Sequence, residues 1–224
     1  MAARTVIFDL DGTLADTSGD LIAAANACFQ GLGLGDKLDD KDVFTAFAGG
    51  RAMLRLGFSR GHLAWSERDV DTQYPVLLAA YATQIDRQTR IYPGVEAALA
   101  ELAALDWRMG ICTNKPEGLA ETLMQRLGLR RYFGALIGAD TLPVRKPDPA
   151  PYREAVRRVG GLLARSVLVG DTVNDRDTAR AAGVPVILVT FGPSGQAVEA
   201  LSPDGLLHNY ADLPRLLDQL VGPD

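Results

Sequence analysis

The chain has 224 residues, 47% of them hydrophobic and 23% charged, and a formal net charge of −5. That length suits one domain with an insertion or two small domains, burying roughly 70% of the surface the unfolded chain exposes. The acidic balance excludes a general binder of nucleic acid or anionic membrane, because both need a basic face. No basic-then-apolar leader precedes Val6, and no apolar run reaches the roughly 18 residues of a membrane span, so a cytoplasmic protein with neither membrane nor nucleic-acid partners is expected. Cys28 and Cys112 stand alone in apolar surroundings and are expected to be reduced, buried thiols.

The first predicted element is a strand over Val6–Phe8, followed directly by Asp9-Leu10-Asp11-Gly12-Thr13. The next stretch carries only helical patterns: Gly19–Gln30, Asp40–Phe47, Arg51–Leu56 and Glu67–Gln84, punctuated by Gly31, Gly33, Gly35 and Gly49-Gly50. The glycines at 31, 33 and 35 follow no strand and lack dinucleotide-binding spacing, so they read as a helix stop. Strand and helix then alternate from the turn Tyr92-Pro93-Gly94 onward. A helix over Gly94–Leu105 precedes a strand over Arg108–Cys112, and a helix over Glu117–Leu127 precedes a strand over Ala135–Gly138. A helix over Pro149–Val159 leads to a strand over Ser166–Val169, and a helix over Asp175–Ala182 to strands over Val186–Thr190 and Gly205–His208. This rhythm predicts an α/β fold with a doubly wound, mostly parallel, Rossmann-like sheet. Residues 1–16 and 86–224 form the expected core, and 17–85 an inserted helical cap.

Polar residues gather where such sheets bind ligands, past the carboxyl ends of the strands. Asp9 and Asp11 alternate on one face of the chain and can meet one ion or one substrate group. Hard oxygen ligands of this kind suit Mg²⁺. Thr113, Asn114 and Lys115 follow the second core strand, Lys146-Pro147 comes after the third, and Gly170-Asp171-Thr172 with Asn174 and Asp175 follow the fourth. Carboxylates, a hydroxyl, an amide and a lysine are the groups phosphoryl transfer needs: a nucleophile, charge withdrawal and fixed donors to the phosphoryl oxygens.

Asp9-Leu10-Asp11-Gly12-Thr13-Leu14, Thr113-Asn114-Lys115, Lys146-Pro147-Asp148-Pro149 and Gly170-Asp171-Thr172-Val173-Asn174-Asp175 together resemble the four motifs of the haloacid dehalogenase-like hydrolase superfamily, in its order. Within it the chain looks most like the phosphoglycolate phosphatase group, and the helical insert resembles that family's cap. The resemblance implies that Asp9 is the nucleophile, forming an aspartyl-phosphate, and Asp11 the general acid and base. It implies Mg²⁺ held by Asp9, the backbone carbonyl of Asp11, and Asp171, with Asp175 supporting the metal's water shell or orienting Lys146. Thr113 and Asn114 would bind the phosphoryl group and Lys146 would steady its charge. The expected activity is Mg²⁺-dependent hydrolysis of a small phosphorylated metabolite by a monomer or homodimer.

Each signal also has a structural explanation. Asp9 and Asp11 read as a strand-end turn, Thr113-Asn114 as a helix cap, and Asp171 and Asp175 as acids at a helix N-terminus. His62 and His208 read as surface or packing residues. Gly49, Gly50 and Arg51 form either a solvated turn or a loop facing an anionic substrate. A sugar phosphomutase of the β-phosphoglucomutase kind shares the same motifs. A dehalogenase needs neither Asp11 nor the Asp171–Asp175 pair, and a phospho-receiver lacks a helical insert.

Overall fold

The computed structural model describes residues 3–61 and 64–222; His62 lies outside them. Six parallel strands form one sheet in the order β5-β4-β1-β6-β7-β8. They are β1 (Thr5–Phe8), β4 (Arg108–Cys112), β5 (Ala135–Ile137), β6 (Ser166–Gly170), β7 (Val186–Val189) and β8 (Gly205–Leu207). Continuous apolar runs such as Val6-Ile7-Phe8 fit this sheet because helices cover both of its faces, and all three side chains are fully buried. The flanking helices are α5 (Val95–Ala104), α6 (Glu117–Arg126), α7 (Ala150–Arg158), α8 (Val173–Ala182) and α9 (Leu213–Val221). The last was not foreseen; its apolar face buries Leu213 and Leu217.

Register carries the functional consequence. Phe8 lies opposite Ile111 of β4 and Val169 of β6, so three strand ends finish level. The Asp9 N–H still bonds Val169 O at 2.8 Å, and Thr113 N–H bonds Ile137 O at 2.9 Å. Residues leaving these strands therefore emerge side by side at one edge.

The chain divides into two compact units at Ala15/Asp16 and Arg90/Ile91. It crosses between them through two-residue strands β2 (Ala15–Asp16) and β3 (Arg90–Ile91), too short to be visible as a pattern. The second division falls at 90/91 rather than the expected 85/86. Residues 88 and 89 belong to the helical unit because the buried Asp20 carboxylate accepts hydrogen bonds from Gln88 N–H, Thr89 N–H and the Thr89 hydroxyl, at 2.8–3.0 Å. That unit contains α1 (Ser18–Gly31), α2 (Val43–Phe47), α3 (Gly50–Ser59) and α4 (Glu67–Thr83). The expected helix over 40–47 splits into a 3₁₀ turn and α2, with Asp39 capping the turn through Lys41 N–H. Phe29 and Phe58 pack edge to face at 5.3 Å in its core.

Candidate active site

The first carboxylate, Asp9, is almost buried. Its Oδ1 accepts from Leu10 N–H at 2.7 Å and lies 3.0 Å from Lys146 Nζ. Lys146 reaches this point from the loop after β5 and also contacts Asp175 Oδ1 at 2.6 Å. Asp175 Oδ2 accepts from the N–H groups of Asp171 and Thr172 and from the Thr172 hydroxyl, at 2.8–3.2 Å. Thr172 and Asp175 form a capping box, so α8 begins at Val173, two residues before the sequence pattern shows it. Asp175 thus does stand at a helix start as a cap, and its other oxygen meets Lys146 Nζ.

Asp171 is different. It is fully buried, and its Oδ1 accepts from the Thr13 hydroxyl at 3.2 Å. Its Oδ2 has no partner among the described residues. A buried carboxylate oxygen without a donor is expensive. Gly12, with φ of +82°, passes so close that an added Cβ would fall 2.8 Å from Asp171 Cγ and nearer still to Oδ2. Asp9, Asp171 and Asp175 each place one carboxylate oxygen within 4.8 Å of the others.

Burial drives the titration of these groups. It raises Asp9 to about 6 despite the attraction of Lys146. It likewise holds Asp171 well above the ordinary carboxylate value, with repulsion from Asp175 and Asp9 adding to it. Burial alone would lower Lys146, but Asp175 and Asp9 outweigh it and keep its pKa raised. Cys112, beneath the site, is pushed up by burial to about 12 and is an inert thiol.

Asp11 is held by Lys115, whose Nζ lies 2.7 and 3.0 Å from its two oxygens. Lys115 has no role legible in the sequence beyond being the third polar residue in succession past β4. Ionised together, Asp9, Asp11, Asp171 and Asp175 outnumber Lys115 and Lys146 by two charges, a state that burial and mutual repulsion resist. One divalent cation balances this set, and all-oxygen donors with an orphaned Asp171 oxygen fit a hard ion such as Mg²⁺.

Thr113 and Asn114 are not the helix cap they resemble: Pro116 takes the N-cap position, and the first N–H of α6, that of Glu117, donates to Asp140 Oδ1 at 2.7 Å. Instead Thr113 Oγ1 accepts from Lys115 N–H at 3.2 Å, and Asn114 Nδ2 donates to Lys146 O at 3.0 Å. Asn114 Oδ1 is buried without a partner among the described residues. Asp9, Asp11, Thr113, Asn114, Lys146, Asp171 and Asp175 thus share one strand-end cluster.

Gly49, Gly50 and Arg51 belong to the helical unit. Gly49 adopts φ of +101° as the cap of α3. Arg51 pairs with Asp71 and stacks over Tyr74 at 4.6 Å. His208 is an exposed residue whose Nδ1 lies 2.8 Å from Thr190 Oγ1. Among the described residues, no helix is long and apolar enough to cross a membrane.

Residues 6–189 match the family model of the haloacid dehalogenase-like hydrolases. The chain is 37% identical over 216 residues to a phosphoglycolate phosphatase of Agrobacterium fabrum, covering 96% of this chain and 93% of that one. It is 36% identical over 211 residues to a phosphoglycolate phosphatase of Caulobacter vibrioides, covering 94% and 89%. The fold matches the solved structure of a predicted phosphoglycolate phosphatase from Haemophilus somnus 129pt with a TM-score of 0.84, at 23% identity and over 96% and 97% of the two chains.

Proposed function

The chain belongs to the haloacid dehalogenase-like hydrolase family, and from that premise we propose that it is a Mg²⁺-dependent phosphatase of a small phosphorylated metabolite, 2-phosphoglycolate foremost. The observation that carries the proposal is the level ending of β1, β4 and β6, which gathers a lysine-paired carboxylate, a second acid two residues on, and a buried acid with an unmatched oxygen.

On this reading an Asp9 oxygen attacks phosphorus while the leaving alcohol oxygen takes a proton from Asp11, giving an aspartyl-phosphate. Asp11 then accepts a proton from the water that attacks the same phosphorus, and Asp9 and inorganic phosphate are released. Lys146 keeps Asp9 ionised and balances phosphoryl charge, and Asp175 holds Lys146 in place. Thr113 and Asn114 present a hydroxyl and an amide to the phosphoryl oxygens. Asp9, Asp171 and the backbone carbonyl of Asp11 would hold Mg²⁺, which when bound supplies charge neutralisation for the phosphoryl oxygens.

A screen of phosphorylated metabolites with Mg²⁺, run beside Asp9→Asn, tests this. Phosphate release from a small phosphoester, lost in the variant and in chelator, is expected. Turnover that survives both treatments refutes the mechanism. Interconversion of glucose phosphate isomers in place of phosphate release turns the reading to a phosphomutase.

A further inference from the structure

Asp9 and Asp11 sit two residues apart, yet each is met by a lysine from a different loop. Lys146 comes from the loop after β5 and touches Asp9 and Asp175. Lys115 comes from the turn after β4 and grips both oxygens of Asp11, at 2.7 and 3.0 Å. The Lys115 side chain is 4% exposed and that of Asp11 18%. Burying and ordering a lysine is costly in solvation and rotamer freedom, and the attraction of one ion pair in a buried setting need not repay it. The base of Lys115 is also fixed: its N–H donates to Thr113 Oγ1, and its carbonyl accepts from Ala139 N–H at 2.9 Å.

We infer that Lys115 is a positioning residue for the proton transfers of Asp11. By holding both oxygens it sets the plane and reach of that carboxyl group, and it does so from the same turn that presents Thr113 and Asn114. The inference rests on the proposed acid–base role of Asp11. Lys115 itself exchanges no proton. In the first step the Asp9–phosphorus bond forms, the ester oxygen–phosphorus bond breaks, and the alcohol oxygen takes the Asp11 proton. In the second, water oxygen bonds to phosphorus, the Asp9–phosphorus bond breaks, and the water proton passes to Asp11.

A role in orienting the acid has a signature that charge balance alone lacks: dependence on the leaving group. An alkyl alkoxide needs a proton as it departs, whereas p-nitrophenolate does not. The experiment compares Lys115→Met, Lys115→Arg and Asp11→Asn with the unaltered protein in Mg²⁺, on 2-phosphoglycolate and p-nitrophenyl phosphate. For Lys115→Met, kcat on 2-phosphoglycolate should fall about 100-fold, in the range by which positioned acid–base groups act. KM and the rise in melting temperature on adding Mg²⁺ should stay within about twofold of the unaltered protein. The rapid burst of p-nitrophenolate, one equivalent per site, should persist and be followed by slow turnover. Lys115→Arg should recover part of the loss. Equal loss of the nitrophenolate burst and the alkyl reaction, or no loss of either, overturns the inference. Because Asp11 is partly exposed, its charge can meet water in Lys115→Met, and a melting curve verifies the fold. Asp11→Asn separates the two layers: if it leaves 2-phosphoglycolate turnover intact, the acid–base reading fails. If it shows the leaving-group signature and Lys115→Met does not, only the role of Lys115 fails.

Discussion

Replacing Gly12 with alanine probes the site at its tightest point. Gly12 has φ of +82°, which an L residue adopts at about 1–2 kcal/mol. The new methyl would fall 2.8 Å from Asp171 Cγ and 3.2 Å from Pro193 Cδ. Non-bonded carbon atoms settle at about 3.5–4 Å, so the carboxylate must retreat by roughly 1 Å. Asp171 has little room to do so, being fully buried with its other oxygen held by Thr13. Overpacking of this kind adds about 1–3 kcal/mol, so a total loss of about 2–5 kcal/mol is expected in urea unfolding. A displacement of 1 Å at a reacting centre lowers turnover on the order of 100-fold, and the stabilisation gained on adding Mg²⁺ should shrink with it. Gly118→Ala is the control. Gly118 lies in α6 with nothing near an added Cβ, so it should gain up to about 1 kcal/mol from helix propensity and keep full activity. Gly12→Ala with unaltered Mg²⁺ stabilisation and turnover would refute the reasoning that Gly12 exists to let Asp171 approach.

The helical unit offers a second glycine of opposite expectation to Gly118. Gly57→Ala in α3 would press within 3.0 Å of Phe29 Cε1 and closer to two other ring atoms; unfolding should show a net loss of about 1–3 kcal/mol, and a gain would contradict the packing. Asp9→Asn should trade activity for stability. Asp9 ionises near 3.8 when unfolded and about 6 when folded, so the metal-free protein loses stability as pH rises through that window, by about 3 kcal/mol above it. The amide removes this loss: metal-free urea midpoints should rise at pH 7.5 and match at pH 4, while an unchanged midpoint at pH 7.5 would contradict the burial cost. Mg²⁺ affinity should weaken below pH 6, by at least tenfold per pH unit once Asp9 is protonated, as read by titration calorimetry; a flat profile would remove Asp9 from the metal's ligands.

Much of this molecule is legible along the chain because its signals are local. Val6-Ile7-Phe8 is apolar without interruption, which only a strand covered on both faces tolerates, and Asp9 and Asp11 after it announce a site. The helix-only stretch after Asp16 marks the insertion for a similar reason: its apolar spacing never changes to that of a strand. α9 was missed although its leucines have helical spacing, and β2 and β3 were missed because two residues carry no period. What the residue order leaves open is which charge meets which. Asp175 and Asp171 lie four positions apart in one acidic run and look equivalent. In the fold, Asp175 spends both oxygens on Lys146 and the start of α8, while Asp171 keeps one unmatched beside Gly12. Lys115 likewise reads as a polar residue in a turn until β4 comes level with β1 and brings its ammonium onto Asp11, 104 positions earlier in the chain. Residue type and spacing are written in sequence; the pairing of buried charges depends on distances between remote segments, and only the packed sheet sets those.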